Sequence, residues 1–304
     1  MWAFVADGRG SVRLDEVDEP APGPSDIVIA VEAFSVNRGE TFQLEAPRPD
    51  WRPGKDIAGH VAVAAADGSG PELGGRVVAH VPSSGWAERA VLHSAGAVVE
   101  LPTRVDVITA AALPLAGLTA LRLLRRIGPL PGCSLLITGA SGGVGHYVTE
   151  LAITGGAEVT AVSASPERGK RLADLGARVV AEVEQASGRF DVVLESVGGS
   201  CFTAARRKAG TAGRVIWFGQ ASRQPVTLDF FDWIDGTVGA PIEPFHYQGT
   251  PAEDTADLHT LVRLVHQGHL HPEIGLVESW TRTAQVLEDL RARRIRGNAI
   301  LTVA

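Results

Sequence analysis

The chain has 304 residues, 45% of them hydrophobic, which is enough to bury a sizeable core and to form two domains. Its formal net charge of −7 leaves no global basic footprint and argues against nucleic acid as a partner. Two isolated cysteines, Cys133 and Cys201, make neither a disulfide framework nor a four-cysteine zinc lobe, and no apolar run reaches membrane-spanning length, so no membrane partner and a cytoplasmic location are expected.

Residues 1–112 alternate short β-like runs at 27–33, 57–66, 76–81 and 88–92 with Gly/Pro/Asp turns, which predicts a mostly antiparallel β domain. Asp15-Glu-Val-Asp-Glu19 reads as a solvated β-edge or turn. From Val107 the pattern turns helical, with Leu115, Leu118 and the run 121–124 leading to Gly128-Pro129. Next comes Leu135-Leu-Ile-Thr-Gly-Ala-Ser-Gly-Gly-Val-Gly-His-Tyr147, a buried strand that runs into a glycine-rich loop and then a helix. Gly139, Gly142 and Gly145 recur every third residue, and Val144, Val148, Leu151 and Ala152 share one helical face. Glycines there let a pyrophosphate reach the free N–H groups and the dipole at the helix start. Further strands follow at 158–163, 191–195 and 214–218, the succession of a mononucleotide-binding fold, and an edge strand is expected at 237–240. Helices at 255–267, stopped by Gly268, and 283–293 precede a last strand at 297–303, and this terminal piece is expected to rejoin the first domain.

With these residues in view, the whole chain resembles the zinc-independent quinone oxidoreductase branch of the medium-chain dehydrogenase/reductase superfamily. Pro53-Gly-Lys-Asp-Ile-Ala-Gly59, Ala116-Gly-Leu-Thr-Ala120, Gly139-Ala-Ser-Gly-Gly-Val-Gly145, Phe190-Asp-Val-Val-Leu-Glu-Ser-Val-Gly-Gly199 and Gly213-Arg-Val-Ile-Trp-Phe-Gly219 match that family's signatures in their usual order. The resemblance implies an α/β protein: a GroES-like, mostly-β catalytic domain from 1–112 and 243–304, and a Rossmann doubly wound parallel sheet over 113–242 that binds NADPH. It also implies a homodimer joined through the Rossmann edge strand. In zinc relatives a cysteine stands at the position of Asn37, a Gly-His-Glu motif at Gly54-Lys55-Asp56, and a third ligand cysteine near Ala116, so no metal is expected here. Amide, ammonium and methyl groups cannot assemble the Lewis acid that alcohol oxidation needs. Hydride transfer to an already electrophilic quinone or enone carbon needs only positioned donors for the oxyanion.

The resemblance assigns Asn37 as the catalytic donor, with solvent supplying the proton, because the tyrosine that many relatives carry five residues later is Phe42 here. Phe42, Trp51 and Tyr247 are the expected pocket walls, with Tyr247 and His246 alternatively in a solvent-facing loop. An NAD-selecting enzyme ends its second strand with a carboxylate, but this chain has Ser163, followed by Ser165-Pro166 as a helix start and by Arg168, Lys170 and Arg171. Ser163, Arg168 and Lys170 are therefore assigned to the NADPH 2′-phosphate, with a solvated basic helix face as the alternative. The remaining expected cofactor contacts are Thr119, Gly139, Ala140, Ser141, Gly142, Gly143, Val144, Ser196, Val197, Phe218, Gly219 and Asn298.

Competing assignments fare worse. The short-chain dehydrogenases share the Thr138-Gly-Ala-Ser-Gly-Gly-Val-Gly145 pattern but need a tyrosine–lysine pair four apart, and Leu151 and Pro251 stand at those places. His259, His266, His269 and His271 lack a coherent ligand spacing. Two functional classes remain: an NADPH-dependent reductase of small-molecule quinones, enones or related carbonyls, and a non-catalytic NADPH-binding redox sensor or structural protein.

Overall fold

The computed structural model describes residues 1–234 and 239–303. Its contacts divide the chain into two units, one of Met1–Leu118 with Gly249–Ala304, the other of Thr119–Gln248. The second unit thus begins at Thr119 and ends at Gln248, where the sequence suggested 113 and 242. Helix Pro114–Ile127 is continuous across the first boundary, so no loop marks it in the sequence.

In the second unit, six parallel strands lie in the order Arg178–Val180, Glu158–Val162, Ser134–Ile137, Phe190–Glu195, Ala209–Trp217, Ile242–Pro244. Numbered along the chain this is 3-2-1-4-5-6, the Rossmann order, whose switch point falls between Ser134–Ile137 and Phe190–Glu195. These two central strands read as continuous apolar runs because both their faces are covered: Leu135, Leu136, Ile137, Val193 and Leu194 have no exposed surface. Helix Gly143–Thr154 follows the first strand and helix Pro166–Asp174 the second. Tyr147 is buried on the first of these helices. The outermost strand is Ile242–Pro244; of the strand expected at 237–240, residues 237 and 238 lie outside the described residues and 239–240 are not extended.

In the first unit, a seven-stranded sheet runs Ile274–Ser279, Asn298–Thr302, Asp26–Val36, Asp56–Val63, Arg76–His80, Ala97–Glu100, with Arg89–His93 also paired to Asp26–Val36. The last strand joins the first segment directly, Ala299 to Thr302 running antiparallel against Val36 to Ala33. Both chain ends therefore build one sheet. Asp15 and Glu16 lie on the separate hairpin Trp2–Ala6/Val12–Glu16. Trp86 is fully buried, stacked on Phe34 at 5.6 Å between ring centroids, and its indole N–H satisfies the Ser35 carbonyl at 2.9 Å.

Helix Pro251–His266 starts earlier than the expected 255, because Thr250 caps it: its hydroxyl accepts from the Glu253 N–H and the Glu253 carboxylate takes the Thr250 N–H. Gly59 sits mid-strand because a Cβ there would come within 1.9 Å of the Ala30 carbonyl oxygen. Replacing it with alanine must push two paired strands apart. Gly59→Ala should therefore lower stability by about 1–3 kcal/mol, which thermal melts of the two proteins would show; equal melting points would disprove so tight a contact.

Candidate functional site

The glycine loop is shaped by backbone approaching backbone. Gly142 is the N-cap of helix Gly143–Thr154, and a Cβ on Gly145 would fall 2.3 Å from the Ala140 carbonyl oxygen. Gly139 has φ +62°, and a Cβ on it would stand 2.7 Å from the Ser196 hydroxyl. Gly142, Gly143 and Val144 keep partial exposure, whereas Gly145 and His146 behind them are buried. The first helical turn thus offers N–H groups and the positive dipole end at an accessible surface. Ala140 is fully buried and gives its own N–H to the Val162 carbonyl at 3.3 Å, so it shapes the loop from beneath.

At the end of the second strand, Ser165 caps helix Pro166–Asp174 and accepts the Arg168 N–H at 3.3 Å. The Arg168 side chain turns back to the glycine loop, its Nε donating to Ser141 Oγ at 3.2 Å. Ser141 and Arg168 therefore meet. Ser163 is buried with its hydroxyl 3.4 Å from the Ser165 carbonyl, and Lys170 is exposed on the helix.

The facing wall rests on Glu195, which ends the fourth strand with no exposed surface. Its carboxylate accepts from Val197 N at 2.8 Å, Gly198 N at 3.1 Å and the Thr138 hydroxyl at 3.0 Å. Ser196 gives its N–H to Thr138 Oγ1 at 3.0 Å and its hydroxyl to the Thr138 carbonyl at 3.1 Å. Burial raises the Glu195 pKa, opposed by these donors. Because the Ser196 and Val197 N–H groups are already bonded, this loop serves as a shaped wall at the switch point. Phe218 is half-buried, with its N–H on the Glu195 carbonyl at 2.9 Å, and Gly219 passes close to Ser196, where a Cβ would come within 3.1 Å of the Ser196 carbonyl oxygen. Thr119 is buried in Pro114–Ile127.

In the first unit, Asn37 is the N-cap of helix Arg38–Gln43. Its Nδ2 donates to Ser35 Oγ at 3.0 Å and to Asp56 Oδ2 at 2.8 Å, so both amide hydrogens that the sequence reserved for an oxyanion already have acceptors. Asp56, fully buried, also accepts from the Ser35 hydroxyl at 2.7 Å and Leu115 N at 3.1 Å and pairs with His80 Nδ1 at 2.8 Å. Glu40, one turn along the helix, accepts Asn37 N at 2.9 Å and Gly54 N at 3.1 Å. Its burial pushes the pKa up to about 8 against those two donors, and the Asp56 charge adds to the rise.

Sequence reading missed Asp56, His80, Ser35 and Glu40 as a group; the readable signal was a charged residue opening the otherwise apolar strand Asp56–Val63. Asn298 opens the last strand and gives its amide to the Glu273 carbonyl at 3.0 Å. Trp51 packs on the core of the first unit, while Phe42 keeps 36% exposure. Tyr247 is half-buried in the second unit, its carbonyl taking the Arg122 guanidinium, and His246 is exposed. His259, His266, His269 and His271 are exposed, and among the described residues no group of three or more His, Cys, Asp or Glu is placed to hold a metal. Nor is any described helix long and apolar enough to cross a membrane.

Because the Glu40 pKa rises from 4.5 to about 8 on folding, the folded chain keeps a proton that the unfolded chain releases across that interval. The contribution of Glu40 to stability is therefore greatest below pH 4.5 and is lost as the pH rises to about 8. Melting temperatures taken from pH 5 to pH 8 should fall less steeply for Glu40→Gln than for the native chain; parallel slopes would exclude Glu40 as the titrating group.

Comparison with known proteins bears on the whole arrangement. A protein-family model described as zinc-binding dehydrogenase matches residues 143–240. A chloroplast envelope quinone oxidoreductase homolog of Arabidopsis thaliana is 31% identical over 236 residues, which cover 69% of this chain and 71% of that protein. A quinone oxidoreductase of Pseudomonas aeruginosa is 28% identical over 320 residues, 98% of each. The structure of an Escherichia coli quinone oxidoreductase complexed with NADPH superposes with a TM-score of 0.87 at 21% identity, covering 99% of this chain and 98% of that one. With the Rossmann strand order and a sheet built from both chain ends, these matches settle the family: the chain belongs to the quinone oxidoreductase branch of the medium-chain dehydrogenase/reductase superfamily.

Proposed function

We propose that this chain is an NADPH-dependent reductase that delivers hydride to a quinone, enone or related α,β-unsaturated carbonyl without a metal. The observation that carries the reading is the Arg168–Ser141 contact, together with Ser163 at the end of the second strand, where an NAD enzyme would place a carboxylate. A guanidinium held beside the glycine loop suits a 2′-phosphate, since it donates in a fixed fork and stays charged. The glycine loop suits the pyrophosphate, because its close backbone packing leaves the N–H groups of the first helical turn at an accessible surface.

When bound, NADPH supplies the hydride. The N–H groups of the first turn after Gly142 hold the pyrophosphate, and Arg168 with Ser141 holds the 2′-phosphate; Ser163 and Lys170 take supporting places beside them. Thr119, Ser196, Val197, Phe218 and Gly219 form walls that fix the cofactor by shape, with Asn298 as a further contact. Asn37 stabilises the oxyanion by sharing a hydrogen now given to Ser35 or Asp56, and solvent supplies the proton. Phe42, Trp51 and Tyr247 contribute pocket walls. Asn37, Lys55 and Ala116 leave the zinc positions without metal-binding groups.

The bipartite organisation supports assigning the first unit to catalysis and the second to the cofactor. We also propose a homodimer, on the strength of the edge position of Ile242–Pro244, and cytoplasmic residence, on the end-to-end match to the bacterial relative. The non-catalytic sensor is not adopted, since the relatives described above carry the quinone oxidoreductase name.

The test is NADPH consumption by metal-stripped protein against quinones, enones, aldehydes and alcohol/NADP pairs, with NADH in parallel. Saturable quinone or enone turnover preferring NADPH is expected; activity that appears only with added zinc would overturn the metal-free reading. Arg168→Ala should weaken NADPH binding by about tenfold to a hundredfold and leave NADH binding nearly unchanged, as fluorescence titration would show. An equal loss for both nucleotides would remove Arg168 from the 2′-phosphate. Asn37→Ala should lower kcat by about tenfold or more in the same assay, and an unchanged kcat would remove Asn37 from the chemistry.

A further inference from the structure

Three chain segments bring polar groups to one buried carboxylate. Asp56 is the first residue of its strand and pairs in antiparallel register with His80, the last residue of Arg76–His80. Ser35 and Asn37 come from the end of Asp26–Val36 and the residue that follows it, and Leu115 lies in the first turn of Pro114–Ile127. The two oxygens divide the work. Oδ1 takes the Leu115 N–H at 3.1 Å and faces His80 Nδ1 at 2.8 Å, while Oδ2 takes the Ser35 hydroxyl at 2.7 Å and the Asn37 amide at 2.8 Å.

A carboxylate facing donors on both sides acts purely as acceptor, which dictates every hydrogen in the group. The Asn37 side chain must turn its NH₂ toward Asp56, the Ser35 proton must point at Oδ2, and His80 must carry its hydrogen on Nδ1. Ser35 Oγ, its proton so used, then accepts the second Asn37 hydrogen at 3.0 Å. The amide is thereby held at two points and cannot flip.

We propose that Asp56 is a positioning residue for the reduction, acting through Asn37, whose amide it holds in one rotamer and one flip state with Ser35 as the second clamp. The inference rests on the reductase reading above and adds to it the residue that orients the catalytic amide. His80 and Leu115 hold the opposite oxygen, so the carboxylate cannot rotate to follow Asn37.

The chemistry of the group supplies its own test. In Asp56→Asn the new amide must set its NH₂ either against Asn37 or against the Leu115 and His80 hydrogens, and donor faces donor in both cases. With the native enzyme turning over a quinone, Asp56→Asn should lower kcat about tenfold to a hundredfold while the NADPH dissociation constant changes less than about threefold. In an Asn37→Ala background, where the amide to be positioned is already gone, Asp56→Asn should lower kcat by less than about twofold more. Ser35→Ala, which keeps the carboxylate and removes one clamp, carries the same test at an expected loss of about twofold to fivefold in kcat with unchanged NADPH affinity.

An unchanged kcat in Asp56→Asn overturns the proposal. So does a full further loss of kcat on Asp56→Asn in the Asn37→Ala background, which would show that Asp56 does not act through Asn37. A native protein silent toward every quinone and enone would instead overturn the reductase reading, and the clamp is then decided without activity. The Asn37 side-chain amide protons, followed by nitrogen-15 NMR, should exchange slowly in the native chain and fast in Asp56→Asn; fast exchange in the native chain would overturn the clamp.

Discussion

The second unit of this protein depends on one close approach of backbone to backbone, the Ala140 carbonyl passing where a Gly145 side chain would begin. It brings the loop against the helix it feeds and fixes where the first-turn N–H groups lie. Two further approaches repeat the constraint around the switch point, Gly139 under the Ser196 hydroxyl and Gly219 along the Ser196 carbonyl. Between them, the Thr138 and Glu195 side chains tie the ends of the two central strands together. The cradle is thus rigid for two separate reasons. Glycine removes the atoms that would widen it, and a buried carboxylate supplies acceptors that let the flanking N–H groups be satisfied inside the wall.

The other half solves a different problem with the same means. Around Asn37 two buried carboxyl groups organise the neighbourhood. Glu40 closes the first turn over Asn37 and holds the Gly54 N–H, while Asp56 collects partners from three segments. Leaving such polar groups buried would be costly without partners, and the donors on each offset that cost. The offset is less complete at Glu40, which receives two backbone donors and whose pKa burial therefore drives upward.

What the sequence made legible follows from how local each signal was. The glycine spacing, the apolar central strands and the Ser165-Pro166 helix start are determined by neighbours a few residues away, and each appears where its pattern stood. The Thr250 cap was equally local and equally readable. Arg178–Val180 and Ala97–Glu100 are too short to show a period, and Ile274–Ser279, partly exposed, is extended only because the distant last strand pairs with it. The Asp56 group was illegible for the same reason. Asp56 and His80 meet through cross-strand register, and Leu115 reaches them from a helix 59 residues further on. Composition around Asn37 says nothing of those partners.

Asn37 carries a tension that the fold resolves in a definite direction. A donor left bare to greet a substrate oxygen would cost stability in every molecule that had no substrate, and its amide would turn freely. Here both hydrogens are satisfied in advance, so on the proposed reading the side chain meets its substrate already oriented and loses little further freedom. The consequence is that Asn37 can act only by sharing. Its contribution to an oxyanion is the difference between a hydrogen bond to Ser35 or Asp56 and one divided with the substrate, which is smaller than the worth of a free donor. That difference grows as negative charge builds on the substrate oxygen, because charge strengthens the acceptor that competes for the hydrogen. An arrangement that is neutral toward the ground state and favours the charged one is what selective stabilisation of a transition state requires.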